Sequence, residues 1–159
     1  MPSSTVVDRF YEAFAKGDTA AMAACYHPMA TFEDPAFGPL DREGVCAMWA
    51  MLLGRSTDLT VTHHIPSEAS ALVRARWEAR YTFTRTGRKV LNRIEATFTL
   101  EDGLIRTHRD RFSFWAWARQ AFGTTGLLLG WTPWFQGKVR REALRALATF
   151  QTSTRTDSP

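Results

Sequence analysis

The stretch Leu104-Ile105-Arg106-Thr107-His108-Arg109-Asp110-Arg111-Phe112-Ser113-Phe114 decides how this chain is read. Side chains on a strand alternate between faces. Leu104, His108, Asp110, Phe112 and Phe114 therefore share one side, while Thr107, Arg109, Arg111 and Ser113 take the other. An imidazole and a carboxyl enter an otherwise apolar face. Such a pair against a concave apolar surface suits proton transfer. The alternative is a solvated rim position, or a His108–Asp110 pair that only satisfies a buried hydrogen bond.

Upstream, the run from Arg88 to Leu100 alternates in the same way. Val90, Ile94, Ala96, Phe98 and Leu100 share a face with Asn92, and Arg93, Glu95, Thr97 and Thr99 point outward. Leu59 to Ile65 and Ala71 to Thr84 read as two further strands, joined by turns short enough to make antiparallel neighbours. A three-residue Glu101-Asp102-Gly103 turn pairs Leu100 with Leu104, Ala96 with His108 and Ile94 with Asp110. A two-residue Asp102-Gly103 turn would oppose Glu95 to Asp110, and the apolar pattern favours the former. A Thr86-Gly87 turn pairs Phe83 with Val90, Tyr81 with Asn92, Ala79 with Ile94 and Trp77 with Ala96. One inner face then holds Trp77, Tyr81, Asn92, Ile94, His108, Asp110 and Phe112.

Three helices precede the sheet. Val7, Phe10, Tyr11 and Phe14 have helical spacing behind a Thr5–Asp8 capping box, and Gly17 ends that helix. Asp18 caps a short second helix through Tyr26. Met29 to Asp34 reads as a strand closed by Asp34-Pro35. Asp41 caps a third helix carrying Val45, Met48, Trp49 and Leu52, with Gly54 just past its end. After the sheet come an aromatic stretch from Phe114 to Phe122, a glycine-rich apolar loop, and a final helix with Val139, Ala143, Ala146, Leu147 and Phe150 on one side. Residues 1–150 are expected to form one domain, and the polar 151–159 a disordered tail.

Composition narrows the function classes. A chain of 159 residues, 45% hydrophobic and 13% aromatic, suffices for one real core. Cys25 and Cys46 make neither a disulfide framework nor a metal spacing. The net charge of +4 comes from scattered arginines rather than a basic stripe, which argues against nucleic acid. The apolar segment from Phe122 to Phe135 falls short of the ~20 residues that span a bilayer. No secretory pattern opens the sequence, so a cytoplasmic protein is expected. His63 and His64 face opposite sides of a strand, and no dinucleotide, phosphate or zinc fingerprint is present, so neither metal nor cofactor is expected.

Phe10-Tyr11-Glu12-Ala13-Phe14-Ala15-Lys16-Gly17-Asp18, Phe32-Glu33-Asp34-Pro35 and Asp102-Gly103-Leu104-Ile105-Arg106-Thr107-His108-Arg109-Asp110, in that order, resemble the SnoaL-like branch of the NTF2-like superfamily over roughly residues 5–115. The resemblance implies an α+β cone: three N-terminal helices on a curved antiparallel sheet around a pocket, here with an extra C-terminal helical segment, in a homodimer. Relatives include ketosteroid isomerases, limonene epoxide hydrolases, polyketide cyclases and proteins that only bind or scaffold. Asp110 resembles the single acid/base residue of the cyclases. It also matches the carboxylate of the epoxide hydrolases' Arg-x-Asp, where His108 stands at the arginine position and the second carboxylate has no match. For the isomerase pattern of an Asp base with a Tyr and a protonated Asp, the chain offers Tyr11 or Tyr81 as phenols but does not match the arrangement.

The candidate catalytic residues are therefore Asp110 and His108, the latter either holding Asp110 or satisfied as a core imidazole. Asn92 either donates to a ligand oxygen or bonds Asp110 across the strands. Trp49, Trp77 and Tyr81 form either an aromatic wall for a hydrophobic ligand or plain core. Asp34 is explained by turn chemistry or by a place at the pocket mouth. Two functions follow. One is cofactor-independent acid/base chemistry on a hydrophobic, oxygen-bearing small molecule. The other is a non-catalytic binding or scaffold protein for a lipophile or a protein partner. A cavity reaching Asp110 and His108 favours the first; a cone filled by side chains favours the second. The segment from Phe114 to Phe135, with Trp115, Trp117, Trp131 and Trp134, is expected to cover an open end of the cone, the alternative being contact with a membrane or partner.

Overall fold

The computed structural model describes residues 4–69 and 71–158. Helix α1 (Ser4–Lys16) buries Val7, Phe10, Tyr11 and Phe14, as their spacing demands. Thr5 of the expected capping box lies outside the residues whose side chains are described, and Asp8 instead bonds His63 at 3.0 Å. Gly17 at φ +71° ends the helix in the left-handed region. Asp18 then caps α2 (Thr19–Ala24) by accepting from the Ala21 amide at 3.0 Å. Strand β1 (Tyr26–Asp34) turns into β2 (Gly38–Asp41), and Asp41 caps α3 (Arg42–Arg55) through the Gly44 amide at 2.7 Å.

Strands β3 (Thr60–Glu68), β4 (Leu72–Phe83), β5 (Arg88–Glu101) and β6 (Leu104–Arg111) complete a curved six-stranded sheet ordered β2-β1-β6-β5-β4-β3. All pairs are antiparallel except β1 with β6. The fold is the α+β architecture expected, with α1 and α3 against the inner face. Between them lies the main core, including Phe10, Met48, Trp49, Val73, Ile94 and Phe98.

The faces of the strands match the sequence reading, but two registers do not. At the β5–β6 turn, Asp102 at φ 53° and Gly103 at φ 73° form the two-residue connection, pairing Glu101 with Leu104. A bulge at Arg106 then adds one residue, so Ala96 rather than Ile94 opposes Asp110, and Phe98 rather than Ala96 opposes His108. Between β4 and β5 the turn takes four residues, Thr84 to Gly87. Ile94 therefore opposes Trp77, Val90 opposes Tyr81 and Asn92 opposes Ala79. Each slip is of two residues, which keeps every side chain on its expected face.

Element ends also differ. The second helix stops at Ala24 and Tyr26 opens β1; α3 runs through Gly54 to Arg55. After the sheet, α4 (Phe114–Phe122) packs on β5, and a second core gathers Val90, Phe114, Trp117, Ala121 and Phe135 with Tyr81 and Phe83. The glycine-rich stretch contains a helix, α5 (Thr124–Leu129). Helix α6 (Pro133–Thr156) replaces the disordered tail expected from Gln151 as far as Thr156. Phe150 still reaches the core there, and Arg155 pairs with Glu43 of α3.

Candidate functional site

Strand β6 carries His108 and Asp110 to the inner face, where they are 2% and 3% exposed. Nε2 of His108 lies 2.9 Å from Oδ1 of Asp110, and Nδ1 lies 2.8 Å from the Tyr26 hydroxyl. Two indoles close the ends of this chain: Trp49 donates to the Tyr26 hydroxyl at 3.1 Å and Trp77 donates to Asp110 Oδ1 at 3.4 Å. An indole N–H only donates, so the Tyr26 oxygen accepts from Trp49 and keeps both a hydrogen and a second lone pair with which to meet Nδ1. Phe10, Phe32 and Phe98 surround the imidazole at ring distances of 5.5, 5.0 and 4.3 Å.

Asp34 ends β1, where Oδ1 accepts from the amides of Ala36 at 3.0 Å and Phe37 at 2.6 Å. Burial pushes its carboxyl up to about 7; the charge of Asp110 adds to the rise, and the two amide hydrogen bonds oppose it. Turn chemistry and an unusual acidity thus coexist in one residue. The Tyr11 hydroxyl is buried without a hydrogen-bond partner among the described residues, and its ring stacks on His63 at 4.8 Å. Burial, followed by the charge of Asp110, holds that phenol well above its ordinary range. The charge of Asp110 thus contributes to the rise at both Asp34 and Tyr11.

Two of the expected residues sit elsewhere. Asn92 lies four positions along β5 from Ala96, the partner of Asp110, which is roughly 13 Å at the rise of a strand. It is not the diagonal neighbour of Asp110. Tyr81 belongs to the second core, where its hydroxyl accepts from Trp117 at 2.8 Å. The structure adds Tyr26, expected at the end of a helix but placed at the start of β1. Alternation marks Ala30, Phe32 and Asp34, but Pro28 is exposed and the β1–β6 register shifts between Tyr26 and Thr31, so strand periodicity does not reach Tyr26.

Phe14, Trp49 and Trp77 pack against one another at 4.8–6.3 Å and fill the cone in front of the pair. His63 points inward to Asp8 and Tyr11, and His64 is exposed on the opposite face. Outside the cone, His27, Glu101 and Asp102 bring ligand atoms within 4.8 Å of one another. Glu101 is already paired with Arg106 and Asp102 is solvated, so this cluster reads as surface charge.

The chain belongs to the SnoaL-like domain family, which matches residues 7–108. No curated protein matches it. Among solved structures it is similar to IdmH from Streptomyces antibioticus, described as a candidate polyketide cyclase, at 25% identity and a TM-score of 0.64, over 74% of this chain and 96% of that one. It is also similar to a Catenulispora acidiphila protein of ketosteroid isomerase-like fold in complex with trimethylamine, at 17% identity and a TM-score of 0.67, over 81% and 98% of the two chains. A candidate polyketide cyclase from a Silicibacter species aligns at 19% identity and a TM-score of 0.65, over 75% and 94%.

Proposed function

We propose that the protein is an acid/base enzyme that moves a proton on a hydrophobic, oxygen-bearing small molecule, in an isomerisation, an aldol-type cyclisation or a hydration. The observation that carries this reading is the buried Tyr26–His108–Asp110 chain on the inner face of the sheet. Both hydrogen bonds to Asp110 fall on Oδ1, which leaves Oδ2 as the atom that takes and returns the proton. His108 orients the carboxylate and, through Tyr26, holds its own ring in register. The buried, unpartnered Tyr11 hydroxyl supplies a hydrogen-bond donor for a developing oxyanion. These steps use side chains alone. The likeness to IdmH, a candidate polyketide cyclase, supports ring closure among the three reactions.

A second reading rests on the filled cone. Phe14, Trp49 and Trp77 occupy the space before Asp110, an arrangement that favours a non-catalytic binding or scaffold protein by the criterion of access. A screen of epoxides, enones and diketones against wild type, Asp110→Asn and His108→Gln separates the two. The catalytic reading expects turnover in at least one class, abolished in the first variant and reduced less in the second; no turnover in any class selects the binding reading.

The reading includes a cytoplasmic homodimer joined through the outer sheet face. Alternating partners there, such as Arg76 with Glu95 and Arg109 with Glu33, give a polar surface able to complement itself. A sizing column giving a monomer of 18.0 kDa would reject that assembly.

A further inference from the structure

We propose that the tip formed by α5 and the start of α6 docks on an anionic lipid surface. Leu128, Trp131 and Trp134 are 63%, 66% and 61% exposed, and Leu127 joins them. Isolated exposed apolar residues are ordinary, but a contiguous group with large aromatics marks a contact surface. Leucine with tryptophan above a basic rim is the composition of an interfacial anchor.

Charge selects the partner. From Phe114 to Arg141 the chain carries Arg119, Lys138, Arg140 and Arg141 and neither aspartate nor glutamate; Arg140 reaches away to the Pro35 carbonyl, and Glu142 follows at once. Arg119 lies 4.7 Å over the Trp115 ring and Lys138 lies 5.7 Å from that of Trp134, which sets cationic heads beside the exposed indoles. Apolar residues backed by such cations suit acyl chains below phosphate headgroups. A second copy is the poorer occupant, because a twofold contact through this tip would bring its like charges together. Nucleic acid offers the anions but no hydrocarbon for Leu127 and Leu128.

The backbone of the tip supports the same assignment. Trp115 donates its indole N–H to the carbonyl of Leu127 at 3.1 Å, and Trp131 donates to that of Leu128 at 3.0 Å. The Thr132 hydroxyl donates to Leu129 at 2.6 Å and the Gln136 amide to Gly130 at 3.4 Å. Four successive carbonyls are thus closed by side chains of the same segment. In water the solvent would serve them; on transfer out of water an open carbonyl is penalised. The docking is shallow, since no helix among the described residues is long and apolar enough to cross a membrane.

The test is co-sedimentation of the full chain with vesicles of phosphatidylcholine alone and of phosphatidylcholine mixed with phosphatidylglycerol, using wild type and the double variant Leu128→Ser, Trp131→Ser. Wild type is expected to pellet with the anionic vesicles, with a blue shift of tryptophan emission, and to be released by salt. The variant is expected to lose about tenfold or more of that binding while keeping its circular dichroism, because both replaced side chains are exposed. Equal binding by wild type and variant, or no binding to anionic vesicles, would overturn the proposal. So would a wild-type dimer that the double variant dissociates, or displacement of the vesicles by an oligonucleotide.

Discussion

Nδ1 of His108 lies 2.8 Å from the hydroxyl of Tyr26, a residue 82 positions away in the chain. The contact ties the start of β1 to the inner face of β6 and leaves both ring nitrogens of His108 hydrogen-bonded.

Removing that hydroxyl tests its structural weight. Tyr26→Phe keeps the ring but strands Nδ1 in an apolar enclosure, and an unmet buried polar group costs about 1–3 kcal/mol. Urea denaturation is expected to show a loss of that size with an unchanged slope. A neutral result would mean that Nδ1 finds another partner.

Asp34 is expected to make stability depend on pH in the direction opposite to most carboxylates. Its folded value of about 7 lies above the ordinary 3.8, so the native state holds more protons than the unfolded chain between these limits. Its contribution is complete below the lower value and lost as pH rises through the upper one. Asp34→Asn cannot titrate and keeps an oxygen for the Ala36 and Phe37 amides. Relative to this variant, wild type is expected to lose on the order of a few kcal/mol of stability as pH rises through that window. Parallel stability curves for the two proteins would refute the assignment.

Gly126 lets α5 lie directly on α4. A methyl group added there would stand 1.9 Å from the carbonyl oxygen of Ala118, a distance the backbone must relieve by moving. Gly126→Ala is expected to cost about 1–3 kcal/mol. Amide exchange should rise first in residues 118–130, with the β4–β5–β6 core retaining its protection.

The alternation along β5 and β6 was enough to place His108 and Asp110 on the inner face, because a two-residue slip leaves a strand's faces unchanged. Neighbours across the strands were not legible, because the bulge at Arg106 and the four-residue turn at Thr84–Gly87 are set by backbone geometry that apolar patterning does not report. Asn92 was therefore brought too near Asp110. Tyr26 was missed because a helical reading of Thr19–Ala24 extends easily across Cys25. The polar run after Phe150 gave no sign that a helix already packed against α3 would continue through it.

The central claim is that Asp110 transfers the proton, and hydrogen–deuterium exchange at the α-carbon of a bound diketone, followed by NMR in deuterated buffer, reads that step alone. Asp110→Asn leaves an oxygen for the His108 and Trp77 donors and so retains the fold, but it removes the base. General-base catalysis contributes about 10²- to 10⁴-fold. Wild type is expected to speed exchange over buffer, with a loss of that size in the variant. Equal exchange rates in the two proteins, or a wild-type rate no faster than buffer, would contradict the claim.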